Sequence, residues 1–220
     1  MCIYYHKLTY FSYNRNNSVS TILEMSLKKW FIIGISGATC SGKTSVTNRL
    51  REELKNSVTI NQDTYFWPID DPRHTKIPEL NHLNWEIMSS MDMDKMRSDI
   101  FKLIESPLSE DNVTGRNCKN ILILDGYLLF KCKVITNLCD MKYFLTVPKE
   151  ICWERRDKRD YEPRDVPGYF EKYVWPEYLK YKNEIMEDQN LCKTITFIDG
   201  SKDTEEIFRT MYAQIKEKLS

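Results

Sequence analysis

The chain has 220 residues, 41% hydrophobic and 29% charged, which is enough apolar side chain for one core of ordinary size and excludes a disordered or fibrous chain. Lys and Arg number 32, as do Asp and Glu, so the net charge is zero. Nucleic acid and anionic membrane, which demand a basic excess, are set aside as main partners. The apolar runs Phe31–Ile35 and Ile121–Leu124 fall far short of the ~20 residues a membrane-spanning helix needs.

Residues 1–26 read as an N-terminal extension, expected to be disordered. No acidic residue occurs from Met1 to Leu23, and only Lys7 and Arg15 are basic, too few for an Arg-rich transit peptide. Met25, followed by Ser26-Leu27-Lys28-Lys29, makes a natural start before the first strand. From residue 27 to 220 the chain reads as a single domain of alternating strands and helices. Trp30–Ser36 is a continuous apolar run, hence a buried strand. Lys43–Lys55 is an amphipathic helix with Val46, Leu50 and Leu54 on one face. Ser57–Asn61 is a second strand. Gln62–Asn84, with Pro68, Pro72 and Pro78, is a loop. Asp92–Glu105 is a helix with Met93, Met96, Ile100 and Ile104 in register, and Leu108–Lys119 is polar and irregular. Asn120–Asp125 and Lys142–Val147 are the third and fourth strands. Pro148 opens a charged helix, Lys149–Asp160. Pro163–Pro167 is a turn. Tyr169 to about Asp188 is helical with an interruption at Pro176. Thr194–Ile198 is the fifth strand and Thr204–Leu219 the closing helix. Five buried strands separated by helices predict an α/β fold, a five-stranded parallel sheet with helices on both faces.

Seven cysteines, at 2, 40, 118, 132, 139, 152 and 192, are scattered and include no C-x-x-C pair, as free thiols in a reducing, cytoplasmic compartment would be. His6, His74 and His82 are far apart in sequence, and no Cys/His spacing suits structural zinc.

The strongest chemical signal is Gly37-Ala38-Thr39-Cys40-Ser41-Gly42-Lys43-Thr44. It is a G-x-x-x-x-G-K-T loop after a strand and before a helix. Its glycines let successive N–H groups turn inward around an anion, and the following helix offers its positive end to phosphates. Lys43 is expected to reach the β- and γ-phosphates of ATP, and the Thr44 hydroxyl to ligate Mg²⁺. Ser45 follows in the first helical turn and is taken as part of the ATP site. Asp125, at the tip of NILILD, is a second carboxylate for Mg²⁺, the plain alternative being a turn residue before Gly126. Asp63 follows the second strand, where ligands of open α/β sheets bind; it can accept a hydroxyl proton or hold a metal-bound water, or be an Asx-turn residue. In Trp153–Arg159, Arg155 and Arg159 share a helical face and Arg156 is offset. Such a run is commonly a solvated helix, but an arginine-bearing lid, here about residues 153–168, would supply positive charge over a transferring phosphoryl group.

At this point the chain resembles the nicotinamide riboside kinases, within the P-loop small-molecule kinases that include uridine kinases. The resemblance rests on Phe31–Gly37, the phosphate loop, Gln62-Asp63-x-x-Phe66, Leu122–Phe130, Tyr143–Thr146, Pro167-Gly168-Tyr169-Phe170 and Val174-Trp175-Pro176-x-Tyr178-Leu179-Lys180-Tyr181. It runs from about residue 28 to the end. It implies a P-loop kinase fold with a helical lid. It implies Asp63 as general base near magnesium, Phe66 in the substrate pocket, and Trp85 and Glu86 where the family stacks on nicotinamide and binds ribose hydroxyls. It further implies Arg156, Glu162 and Asp165 as substrate contacts, Arg155, Arg159 and Tyr161 as the lid around ATP, and Ser201, Lys202 and Asp203 beside adenine. The sequence departs from the family pattern at Trp85 for Tyr, Glu86 for Asp and Asp125 for Glu. The activity so implied is ATP-dependent phosphorylation of the 5′-hydroxyl of nicotinamide riboside, and of nicotinic acid riboside, by a monomer or weak dimer. A kinase for uridine or cytidine and a non-enzymatic nucleotide-binding adaptor are the other readings. A pyridinium is a flat cation, which Trp85 would hold by a cation–π contact worth ~1–2 kcal/mol when desolvated.

Overall fold

A computed structural model describes residues 25–106 and 119–220. The expected disorder of the extension, residues 25 and 26 apart, and the irregular reading of 108–118 lie outside the described residues. The first strand, β1 (Trp30–Gly37), is buried along its whole length. It leads into α1 (Lys43–Glu53), then β2 (Ser57–Asn61) and a 3₁₀ turn, Gln62–Tyr65. Two short strands follow, β3 (Lys76–Ile77) and β4 (His82–Leu83), paired antiparallel. Next come α2 (Met93–Glu105), β5 (Asn120–Asp125), α3 (Lys133–Leu138), β6 (Met141–Thr146) and α4 (Lys149–Asp157). A π-helical turn at Phe170–Val174 runs into α5 (Trp175–Glu187), and α6 (Gln189–Cys192), β7 (Ile195–Asp199) and α7 (Thr204–Leu219) complete the chain.

The main sheet has five parallel strands in the order β2-β5-β1-β6-β7, as the alternation of strands and helices predicts. Both of its faces are covered. On one, Phe31, Ile33, Ile35, Ile121, Ile123, Tyr143 and Leu145 pack against Val46 and Leu50 of α1 and Phe208, Met211 and Ile215 of α7. On the other, Ile32, Leu122, Leu124 and Phe144 pack against Met96 and Ile100 of α2 and Tyr178 and Tyr181 of α5. Alternate residues of the central strands thus enter two different cores, so β1 and β5 read as nearly unbroken apolar sequence, whereas the edge strands β2 and β7 carry polar residues and expose Val58 and Phe197. No helix among the described residues is long and apolar enough to cross a membrane.

Four local expectations are corrected. The loop Gln62–Asn84 holds the β3–β4 hairpin and two 3₁₀ turns, elements too short for any periodicity to register. Helix α3 was not anticipated; its six residues span less than two turns. The charged helix ends at Asp157 rather than Asp160, so Arg159 lies beyond its cap. Pro176 does not interrupt the helix beginning near Tyr169. It stands just after the π-helical turn, and Val174 and Trp175 keep helical backbone angles, so the helix runs on with its hydrogen-bond register shifted just before the residue that lacks an N–H.

The register lines up the carboxyl ends of the strands. Asp125 is paired with Ile35 on one side and Asn61 on the other, Gly37 with Leu145, and Thr146 with Asp199. Segments leaving these ends therefore meet above one edge of the sheet, the edge at which open α/β sheets bind ligands. At Gly37 the backbone has φ 133°, and a Cβ would stand 2.1 Å from the Leu145 carbonyl oxygen, so the chain can leave β1 here only as glycine.

Candidate active site

The residues from Thr39 to Ser45 line a cleft of about 1160 Å³ that Phe66, Trp85, Glu86 and Tyr127 also line. The volume is larger than a single small ligand needs and leaves room for two. Gly42, at φ 90°, is the N-cap of α1, and its left-handed conformation aims the first amides of that helix at the loop's centre. The Lys43 ammonium donates to the carbonyls of Gly37 (3.2 Å) and Ala38 (2.7 Å). The Thr44 hydroxyl donates to Asp125 Oδ2 at 2.8 Å, tying the phosphate loop to the end of β5. Burial raises the Asp125 carboxyl above its usual range, against the pull of Lys43 and Thr44, and the nearby charge of Asp63 pushes it further up. Asp63 is exposed; its backbone N–H donates to Asn61 Oδ1 at 2.7 Å, the side-chain cap of the 3₁₀ turn after β2.

The acceptor side is aromatic. Phe66 meets Trp85 edge-on, ring centroids 5.5 Å apart, and lies nearly parallel to Tyr127 at 6.1 Å. The His74 ring flanks Trp85 at 4.4 Å, and its Nε2 lies 3.1 and 3.0 Å from the carbonyls of Trp67 and Pro68. Beside this wall, Arg156 is 6% exposed and holds two carboxylates. Its Nε donates to Asp165 Oδ2 at 2.5 Å, and Nη2 donates to Asp165 Oδ1 at 3.1 Å and Glu86 Oε1 at 3.3 Å. Nη1 donates to Thr39 Oγ1 of the phosphate loop at 3.1 Å, and the guanidinium lies 4.5 Å from the Tyr161 ring centroid. Burial raises the Glu86 carboxyl above its usual range, partly opposed by Arg156. Burial alone would lower Arg156, but Asp165 and Glu86 hold it above its usual value. The group Glu86–Arg156–Asp165 therefore carries one net negative charge when ionised.

Arg155 and Arg159 both reach Cys40, although only Arg155 is on α4. Arg155 donates to the carbonyls of Cys40 (3.1 Å), Gly200 (2.7 Å) and Ser201 (3.3 Å), and Arg159 Nη1 is 3.9 Å from Cys40 Sγ. The Tyr161 hydroxyl is 3.4 Å from the same sulfur, and burial pushes that phenol up to about 12. Cys40, like Cys132, Cys152 and Cys192, is a free thiol.

Of the residues read from sequence, Lys202 and Glu162 also line the cleft. Gly37 and Ala38 lie beside a small adjoining cavity instead. Asp125 meets the cleft through Thr44. Ser201 and Asp203 do not line it. Ser201 donates from its N–H and hydroxyl to Asp199, and Asp203 caps α7 by accepting from the Glu205 N–H. Their neighbours Gly200 and Thr204 line the cleft in their place. Sequence reasoning gave no role to Tyr127, Trp67, Ile69 or Asn48, which also line it. Tyr127 had a usable signal, standing two residues after Asp125. Trp67 and Ile69 had none beyond lying near Asp63.

Comparison with known proteins agrees with this arrangement. A family model described as an AAA domain matches residues 33–176. The chain is 37% identical to nicotinamide riboside kinase 1 of Homo sapiens over 196 residues, which cover 87% of this chain and 95% of that protein. It is 36% identical to nicotinamide riboside kinase 2 of Homo sapiens, over 86% of this chain and 82% of that one. A uridine kinase of Haemophilus influenzae (strain PittEE) is 30% identical over 71% of this chain and 83% of its own length.

Proposed function

The chain belongs to the nicotinamide riboside kinase family, and from that membership we propose that it transfers the γ-phosphoryl group of ATP to the ribose 5′-hydroxyl of nicotinamide riboside, giving the mononucleotide and ADP. The observation that carries this reading is a single cleft lined both by the phosphate loop and by the wall of Phe66, Trp85 and Glu86. Lys43 and the loop amides hold the triphosphate. Asp63, exposed to the cleft, orients the hydroxyl and takes its proton. Phosphoryl transfer is loose, so this residue acts mostly by position and needs little base strength. Arg155 and Arg159 bring positive charge to the phosphate loop, where charge spreads over the transferring group.

The donor set suits magnesium. The Thr44 hydroxyl and Asp125 carboxylate are hard oxygens 2.8 Å apart, and Asp63 is near enough to shift Asp125. Among the described residues no group of three or more His, Cys, Asp or Glu could hold a metal by itself. That fits an ion which keeps most of its waters and is completed by substrate phosphates. Thr44, Asp125 and Asp63 would hold it, and it would neutralise charge on the β- and γ-phosphate oxygens.

The acceptor side favours a cation. The indole of Trp85 offers a negative ring face, and Glu86, Arg156 and Asp165 together add one negative charge beside it. Uridine is neutral: it can stack on the indole but has no positive charge for either to stabilise. The test is ADP release by the purified full chain with Mg-ATP and, in turn, nicotinamide riboside, nicotinic acid riboside, uridine, cytidine or no acceptor. Turnover with the cationic riboside and little with uridine is expected. Turnover with pyrimidine nucleosides alone would make this a uridine-type kinase. ATP binding with no turnover on any acceptor would turn the reading to a nucleotide-binding adaptor.

A further inference from the structure

The segment that carries Trp85 and Glu86 belongs to no helix or strand, so its backbone polar groups must be satisfied from elsewhere. At Trp85 both are taken by tyrosine hydroxyls from distant parts of the chain. The Trp85 N–H donates to the Tyr169 hydroxyl oxygen at 2.9 Å, and the Trp85 carbonyl accepts from the Tyr127 hydroxyl. Tyr169 is completely buried, and its hydroxyl has its own proton left to give, which it donates to Glu86 Oε1 at 3.5 Å. Its ring cannot turn aside: His82 meets it edge-on at 4.7 Å and Tyr173 stacks on it at 5.9 Å. The Tyr127 ring is set by Phe66 at 6.1 Å.

We propose that Tyr127 and Tyr169 are positioning residues of the acceptor site, a pair of hydroxyls that clamps the Trp85 peptide and so fixes where the indole and the Glu86 carboxylate stand. This rests on the reading of Trp85 and Glu86 as the acceptor wall. The two tyrosines differ in what they anchor to. Tyr127 stands two residues past Asp125, so it ties the wall to the strand end that holds Thr44. Tyr169 follows Gly168, whose φ of 83° turns the chain out of the lid region, so it ties the same peptide to the lid. The clamp thus sets the acceptor's base against both the phosphate loop and the lid.

Tyr127→Phe and Tyr169→Phe keep the rings and remove only the hydroxyls. Each is compared with the wild-type full chain, using whichever acceptor of the panel above the wild type phosphorylates best. Backbone amide hydrogen exchange is measured in parallel by NMR. Loss of one hydrogen bond to a buried backbone group is expected to raise the acceptor KM about tenfold, with the ATP KM within about twofold. In Tyr169→Phe the Trp85 amide is expected to exchange about tenfold faster while amides of β1 keep their protection. The proposal is overturned if the Trp85 amide is unaffected in Tyr169→Phe, or if neither KM moves. It is equally overturned if both KM values rise together with loss of β1 protection, because that is general loosening. Should the best acceptor be a pyrimidine nucleoside, the substrate reading fails while the KM split still judges the clamp. Should no acceptor react, the exchange of the Trp85 amide judges it alone.

Discussion

At the end of the cleft proposed for the triphosphate, the lining is mostly one consecutive stretch, Thr39 to Ser45, offering backbone amides, one helix terminus and the Lys43 side chain. At the acceptor end, Phe66, Trp85, Glu86 and Tyr127 arrive from three separated stretches of chain, and Arg156 and Asp165 from a fourth. The first end is dictated by local geometry and by the strand and helix on either side. The second is held by long-range bonds between side chains, so it depends on residues that never touch a substrate. A change at the triphosphate end should therefore act on chemistry with the fold intact, whereas a change at the acceptor end should act on stability and acceptor affinity together.

Asp63 offers the sharpest test of the first half of that contrast. It is placed by a local cap, the Asn61 side chain, and its carboxylate is exposed. Asp63→Asn keeps the shape and removes the proton acceptor. Turnover is expected to fall at least ~100-fold, as for loss of a general base. ATP affinity by calorimetry and the unfolding temperature are expected to stay near wild type. Near-normal turnover would remove Asp63 from its role; a large drop in unfolding temperature would mean that this end is not locally built.

Arg156 tests the second half. Arg156→Met keeps much of the bulk but leaves Glu86, 9% exposed, and Asp165, 23% exposed, facing each other without their shared cation. Breaking a buried ion pair by removing one member costs ~3–5 kcal/mol. For a chain of this size that is a fall of roughly 10 °C in unfolding temperature, read by calorimetry or circular dichroism. A fall of about a degree would show that the acceptor wall stands without Arg156, and the contrast between the two ends would lose its basis.

The same contrast explains what could be read in advance. The central strands β1 and β5 were legible because each is a short, nearly continuous apolar run buried on both faces; the edge strands β2 and β7 were legible as short β-branched segments between helices. The phosphate loop was legible because its chemistry is contiguous. The residues from Asn61 to Asp92 were not. They contain two-residue strands and single 3₁₀ turns, held by contacts such as Asn84 N–H to Thr75 O, Ser90 Oγ to Asn84 O and the His74 ring on Trp85. None of these leaves a period in the sequence. Trp85 and Glu86 were reached by family resemblance alone, and the tyrosines that hold Trp85 were quoted in the matching stretches without a role. Ser201 and Asp203, placed beside adenine by the resemblance, have side chains whose hydrogen bonds close the turn after β7 and cap α7, while Gly200, Lys202 and Thr204 around them line the cleft.

The smallest effect should come from Glu86→Gln, and it refines the comparison because stability and affinity are expected to part. Burial raises the Glu86 carboxyl, so the folded chain holds a proton there more tightly than the unfolded chain does. The stability this linkage contributes is complete below the ordinary glutamate range and is lost as pH rises through the raised value. Above that raised value the ionised carboxylate therefore costs stability. Gln removes that cost and leaves Arg156 its two bonds to Asp165. At pH above the raised value the variant should unfold at or slightly above the wild-type temperature, with the difference shrinking as pH falls toward the ordinary carboxylate range. Affinity should move the other way. With Glu86 neutral, the group around Arg156 loses its net negative charge, and the KM for a cationic riboside should rise up to about tenfold while that for ATP holds, the size expected for a charged contact. Wild-type riboside KM should climb on the acid side as Glu86 takes up its proton, and that limb should vanish in the variant. A glutamine variant that unfolds well below wild type, with an unchanged riboside KM, would make Glu86 a structural partner of Arg156 and leave cation preference to the Trp85 ring.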